Sequence, residues 1–387
     1  MVNVEELALQ RKRYAHLTDD EWRWMLQQVE GRQRTREKLP TMADISDWWY
    51  PVRLSCEQCS SEQTARYKAK LIKYAAEPLR ARREKVLVDL TGGYGVDTYF
   101  MSEQFAEVHY VEQNEELCRI AKHNFALTRP HIQVHNARAE EFLNRYPQDK
   151  KWVIYIDPAR RDQHGGKVFR VEDCEPNVVE LLPTLQAKAE KIILKLSPML
   201  DITAALRSLQ ISMDVHIVAV NNEVKEVLLW SKTENSPCRI HAVNLGSSPT
   251  EFSFVHDEEK NAPCLLYSGK RDDHLIEGMY IYEPNVAIIK AGAYKLVGSR
   301  YGLIKLGANT HLYLSKEYVE DFPGRVWKVK GELAKTKQEV HASVMTRNYP
   351  LSADQLRKKL KIKEGDKLAV IGTRLCDKPV VLLAERC

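Results

Sequence analysis

Several features are missing from this chain of 387 residues, and each absence narrows its chemistry. No window approaches the run of about 18 apolar residues that a membrane helix needs. The first residues mix Glu5, Glu6, Arg11, Lys12 and Arg13 among their apolar neighbours and lack the apolar core of a secretory signal. A soluble, cytoplasmic protein is expected. With 17 glycines and 16 prolines, the chain is neither collagen-like nor low-complexity. Its eight cysteines are scattered, and only Cys56 and Cys59 are close together. That is no disulfide framework. Cys56-x-x-Cys59 has half the spacing of a zinc site, but no partner pair lies nearby, so ordinary cysteines and no metal are expected. There is no Gly-Lys-Ser/Thr of a P-loop and no internal repeat.

What is present is an ordinary globular balance, 44% hydrophobic and 29% charged, in a chain long enough for two or three domains. The net charge of +5 is unevenly spread. From Arg325 onward there are fifteen basic residues against seven acidic, so the remainder is slightly acidic. A basic C-terminal domain raises nucleic acid as a partner.

Four stretches emerge. Residues 1–84 look helical: Thr18-Asp-Asp-Glu21 is a capping box before Trp22, Met25, Leu26 and Val29, and a second helix carries Ala65, Ala69 and Ile72 on one side. Pro78 makes its end uncertain. Trp22, Trp24, Trp48 and Trp49 read as core residues, and His131 and His135 as surface residues. Residues 85–256 alternate short apolar runs with helical segments, the pattern of a parallel, doubly wound α/β sheet. The runs start at Val86, Val108, Ile132, Trp152 and Lys191, and Val215–Val220 with Val224–Trp230 form a terminal pair. Residues 257–324 hold short strands and few helices. Residues 325–387 suit a small α+β domain, with helices expected over Leu333–Met345 and Ala353–Leu360.

The densest chemistry follows the first run, in Asp89-Leu-Thr91-Gly-Gly93-Tyr94-Gly95-Val-Asp97. Glycines let the turn be tight and let a ligand approach the backbone. This is not a G-x-G-x-x-G dinucleotide motif, because position 98 is Thr and Asp89 precedes the glycines. A carboxylate aimed at the turn would repel a diphosphate but suit an ammonium or sulfonium. Glu112 ends the second run, where an acid fits ribose hydroxyls. Asn136-Ala137 follows the third, where an adenine edge would be met. Asp157-Pro158-Ala159-Arg160 ends the fourth, and Asp157 there is placed to accept a hydrogen bond from an amino group. Lys195 either reaches the substrate cleft or, by default, is a snorkelling strand-end lysine. Arg160 and Arg161 fit either a phosphate or solvent.

These motifs resemble the class I S-adenosylmethionine-dependent methyltransferases. The whole chain is similar to bacterial members of the Bacteroidetes type with a THUMP-like C-terminal domain, through Ser61-Glu-Gln-Thr-Ala65, Tyr282-Glu-Pro-Asn-Val-Ala-Ile-Ile-Lys-Ala-Gly292 and Leu356-Arg-Lys-Lys-Leu360. The resemblance implies a Rossmann-like sheet, an N-terminal helical region and a small ferredoxin-like C-terminal part. It implies S-adenosylmethionine as cofactor. Gly93 and Gly95 would contact it, with Thr91 and Tyr94 on the same turn. Asp89 and Asp97 would lie near its ammonium, Glu112 and Gln113 near the ribose, and Asn136 and Ala137 at the adenine. Asp157, Pro158 and Arg160 would form the acceptor site, and Ser61–Thr64 would cover the pocket. A base in tRNA or rRNA is the implied substrate, an exocyclic amino group favoured, with Lys358, Lys359 and Lys361 holding the RNA. The tetrad Asp-Pro-Ala-Arg departs from Asp/Asn-Pro-Pro-aromatic and lacks a stacking ring. Ser197-Pro198 after the fifth run leaves no cysteine nucleophile for 5-methyluridine chemistry. The rival readings are a small-molecule or protein methyltransferase and a cofactor-binding RNA-binding module without catalysis.

Overall fold

A computed structural model describes residues 3–75, 85–146, 152–160, 170–232, 237–268, 276–333, 340–375 and 378–387, with only the backbone of residues 74, 75 and 160. The chain forms two compact units. One comprises residues up to Val215 together with Lys225–Ser236, and the other His216–Val224 with Pro237–Cys387.

The first unit begins with helices. Asp19–Thr35 starts at a complete capping box, with the Thr18 side chain accepting from the Glu21 N–H and Glu21 reaching back to the Thr18 N–H. Trp22 and Trp48 are buried and Trp24 and Trp49 partly so, as expected of core residues. The helix Glu62–Ala75 comes next; Pro78 lies outside the described residues.

The strands then follow: β1 (Val86–Asp89), β2 (Glu107–Glu112), β3 (Ile132–Asn136), β4 (Trp152–Ile156), the short β5 (Ala159–Arg160) and β6 (Cys174–Glu175), β7 (Ala189–Leu196), β8 (Met213–Val220) and β9 (Glu223–Ser231). In the first unit the order is β9-β7-β4-β1-β2-β3. β1 pairs in parallel with β2 and β4, β2 with β3, and β4 with β7, while β9 runs antiparallel to β7. Burial on both faces explains the near-continuous apolar runs: every residue of β4 is buried. The parallel direction brings the C-terminal ends of β1, β2, β3, β4 and β7 to one rim, where such sheets bind ligands.

The second unit contains the antiparallel pair β10 (Arg239–Leu245) and β11 (Thr250–Val255). It also contains a seven-stranded sheet of β12 (Tyr280–Pro284), β13 (Ile304–Gly307), β14 (Thr310–Ser315), β15 (Gly324–Glu332), β16 (Ser343–Thr346), β17 (Leu368–Leu375) and β18 (Lys378–Arg386), in the order β13-β14-β12-β15-β18-β17-β16. Buried Glu283 ties β12 to β15 and to the segment after β16, accepting from Arg325 at 2.9 Å and Arg347 at 2.5 Å. One expectation fails here. Residues 343–346 are strand β16, paired in parallel with β17, not the end of a helix. Val344 packs beside buried Val370, and this tertiary partner overrides the weak local helical pattern. The helix Ala353–Leu360 does form, capped by Ser352 and anchored by buried Leu356.

Candidate active site

The turn after β1 is built for close approach. Gly93 (φ +54°) and Gly95 (φ +84°) occupy left-handed backbone. A methyl group added at Gly92 would lie 2.1 Å from the Tyr110 ring, whereas at Gly93 the nearest neighbour would be the Thr91 carbonyl at 3.9 Å. Gly92 is therefore packed, and the space over Gly93 is open. Tyr110 Oη donates to the Gly93 carbonyl at 2.5 Å and fixes the turn against β2.

Asp89 faces inward. Its carboxylate accepts from the Thr91 N–H at 3.0 Å and from Thr98 Oγ1 at 2.5 Å. Burial pushes its pKa up to about 7, against the pull of those two donors. Glu112 stands at the end of β2, half-buried, and accepts from the Gly93 N–H at 2.9 Å and the Asn114 N–H at 2.8 Å. It thereby joins the glycine turn to the neighbouring strand end. Asn136, exposed at the end of β3, donates to the carbonyls of Glu112 and Gln113 at 3.0 and 3.1 Å. The Ala137 N–H also reaches the Glu112 carbonyl, at 3.1 Å. The three strand ends are thus knitted into one rim.

Asp157 follows β4 directly. Its N–H donates to Thr91 Oγ1 at 2.6 Å, which ties the end of β4 to the glycine turn. Its Oδ2 is paired with the Lys195 ammonium of β7. Burial works against a charged Lys195, but Asp157, Asp97 and Glu226 outweigh it and hold the lysine above its ordinary range. Lys195 is therefore no solvent-seeking strand-end residue; it is largely buried and enters the site. Pro158 is half-buried beside Asp157, while the Arg160 side chain and all of Arg161 lie outside the described residues.

Two side chains near the turn and the strand ends lie deeper than their positions in the sequence suggest. The Tyr94 side chain does not face the rim. It is buried in the core, where its hydroxyl accepts from Trp48 Nε1 at 2.8 Å and donates to the Trp49 carbonyl at 3.3 Å, so only its backbone belongs to the turn. His135 is not a surface residue either: it contacts His109 at 2.9 Å and packs on Phe142, and burial lowers its pKa to about 4. Asp97 sits deeper than a carboxylate at a binding surface. Its Oδ2 accepts from Ser60 Oγ and Tyr155 Oη, each at 2.7 Å. Lys68 Nζ lies 3.1 Å from Oδ1, yet that oxygen accepts no hydrogen bond. Lys68 in turn holds both oxygens of Glu226 at 2.8 and 2.7 Å. Sequence reading missed Lys68, Glu226 and Ser60. The signal was there: Lys68 falls on the same helix face as Ala65 and Ile72, where a charge must be partnered.

Cys56 and Cys59 donate to backbone carbonyls, and burial raises both thiols, Cys56 to about 12. No group of metal-binding side chains occurs among the described residues. Lys358, Lys359 and Lys361 of the second unit are exposed on and just after the helix Ala353–Leu360.

Comparison with known proteins decides the family. A crystal structure from Porphyromonas gingivalis W83, assigned as a methyltransferase, is 32% identical to this chain, covering 96% of it and 91% of the other, with a TM-score of 0.81. This chain belongs to that family of S-adenosylmethionine-dependent methyltransferases. Residues 280–323 match a ferredoxin-like domain and residues 320–386 a THUMP-like domain. Uncharacterized S-adenosylmethionine-dependent methyltransferases from two strains of Mycobacterium tuberculosis are 23% identical over 366 residues, covering 91% of this chain and 92% of theirs. The methyltransferase cofactor fits the residues present. The open backbone over Gly93 admits a ligand, and the acids at the rim and beneath it suit a cation.

Proposed function

We propose that this methyltransferase modifies a base of structured RNA, tRNA or rRNA, at an exocyclic amino group. The observation that carries the reading is the Asp157 clamp. Its N–H is fixed to Thr91 of the glycine turn and its Oδ2 to Lys195, and among the described residues Oδ1 has no hydrogen-bond partner and is placed to accept from a substrate N–H. Held this way, Asp157 aims the nitrogen lone pair at the methyl donor, which is positioning catalysis. S-adenosylmethionine supplies the electrophilic methyl group. On this reading the Gly93 and Gly95 backbone, Thr91 and the Tyr94 backbone line the cofactor, Asp89 and Asp97 supply negative charge beneath it, Glu112 and Gln113 face the ribose, and Asn136 and Ala137 flank the adenine. Pro158 and Arg160 complete the acceptor side. The RNA reading is supported by the THUMP-like match and by the exposed lysines 358, 359 and 361.

The test is transfer of labelled methyl from S-adenosylmethionine to total cellular RNA by the wild type and Asp157→Asn. Label should enter RNA, and the variant should keep cofactor affinity while losing about 10²-fold or more in rate. Label in protein or small molecules alone would move the substrate to those classes. Cofactor binding without transfer would make the protein a binding module.

A further inference from the structure

The second unit holds a cavity that the methyl transfer does not use. It is walled by β13, β14, the helix Leu296–Arg300 and the segment from Pro263 to Leu265, and its volume is about 180 Å³. A cavity of about 150 Å³ takes benzene, so this one has room for a single ring with one substituent. Leu265, Leu303 and Tyr313 make its lining mostly apolar, and at Gly302 an added methyl group would meet nothing within 4 Å. One lining side chain does not fit that setting. Lys305 is only 5% exposed. Its ammonium has three N–H donors, and among the described residues one is used, on the Ala308 carbonyl. No carboxylate among those residues pairs with it. Glu259, whose charge is felt there, is committed elsewhere: it accepts from the Lys295 N–H at 2.9 Å and the Leu296 N–H at 2.8 Å. The Tyr294 ring lies 5.8 Å from the ammonium and is itself stacked on His311 at 3.8 Å. Burial accordingly lowers the lysine's pKa, and Cys264 and Glu259 offset this only in part. A buried cation without a counter-ion is costly to keep, and a cation of this kind on a cavity wall marks a binding site.

We propose that this cavity binds a small apolar carboxylate, with its ring against Leu265, Leu303 and Tyr313 and its carboxylate on the two remaining N–H donors of Lys305. The inference goes beyond the methyl-transfer reading and does not rest on it. A carboxylate brings one charge and two oxygens, which match one ammonium with two donors left. A neutral ring would fill the volume but leave the ammonium unpaired. A phosphate would bring more charge than the site can meet: Lys295 at the cavity is partly exposed and gives a hydrogen bond to the Lys260 carbonyl at 2.6 Å, and the rest of the lining offers phosphate little. Lys305 and Tyr313 fall in the stretch that matches the ferredoxin-like domain, which on this inference has a ligand of its own.

The test uses the full chain and the local thiol. Cys264 lines the cavity and is exposed, as is Cys387, so iodoacetamide labelling of Cys264 relative to Cys387, read by mass spectrometry, reports occupancy of this site alone. The probes are benzoate, benzyl alcohol as its neutral analogue and inorganic phosphate. Benzoate should shield Cys264 at a concentration roughly tenfold or more below that of benzyl alcohol, the advantage of a charge-assisted hydrogen bond. Phosphate should not shield it. Lys305→Met keeps the apolar stem and should erase the preference for benzoate. It should also unfold at the same or a higher urea concentration than the wild type, because it removes an unpaired buried charge. Ser299→Trp, at an exposed lining position, should abolish shielding by both rings. Equal shielding by benzoate and benzyl alcohol, shielding by phosphate, or no shielding by any probe would overturn the proposal. So would a Lys305→Met protein that keeps the preference, or one that unfolds at lower urea, since a counter-ion would then already hold the lysine. None of these outcomes depends on methyl transfer.

Discussion

Charge is handled in opposite ways in the two units. In the first, Lys68, Asp97, Glu226 and Lys195 are drawn inside, under the strand ends that carry the methyltransferase motif. In the second, the basic residues of the helix Ala353–Leu360 stay outside, and the cap and buried Leu356 hold the helix without them. Glu283, a buried acid that joins strand to loop through Arg325 and Arg347, and buried Lys305 depart from this. The difference bears on what each set of charges can do. A buried charge acts at short range in a medium that screens little, so it shapes one small ligand. An exposed lysine is screened beyond about 10 Å, and many must act together on a polyanion.

The comparison breaks most severely at Lys68. Replacing it with Ala strands Glu226 and should destabilise the first unit by about 3–5 kcal/mol. Urea unfolding would show this as a lower midpoint, whereas the triple variant of Lys358, Lys359 and Lys361 to Gln should unfold almost as the wild type does. A Lys68 variant of wild-type stability would mean the cluster is less buried than described. The next effect is on RNA. The triple variant should bind RNA more weakly, and its plot of log affinity against log salt should flatten by about 2–3, close to one per lost phosphate contact. An unchanged slope would remove these lysines from the RNA-binding surface.

A further effect concerns Asp89. Burial raises its pKa in the folded state to about 7, from an ordinary carboxylate value near 3.9 when unfolded. A raised folded-state pKa contributes stability that is complete below the unfolded value and is lost as pH rises through about 7. The stability of the wild type relative to Asp89→Asn should therefore fall between about pH 4 and 7 and level off above. Unfolding curves at four or five pH values would check this, and a flat difference would place Asp89 in a more polar setting.

Much of this site was legible because its motif is local. A strand, three glycines and an acid at the end of the next strand are read from spacing, and the parallel sheet then brings Asp89, Glu112, Asn136 and Asp157 to one rim. The capping box at Thr18 and the helix at Ala353 were legible for the same reason, since a cap is decided within four residues. Strand β16 was not, because its partner β17 begins more than twenty residues later.

By itself, then, the sequence determined the alternation of elements, the glycine turn, the family and the basic C-terminal stretch. All of these are set by neighbours along the chain. Only the tertiary structure decided where side chains spend their charge. Tyr94 turns into the core because Trp48 is there to bond its hydroxyl. Lys195 reaches Asp157 across 38 positions, and Lys68 reaches Glu226 across 158. A buried ion is stable only opposite its partner, and which partner it meets is fixed by the packing of the whole unit.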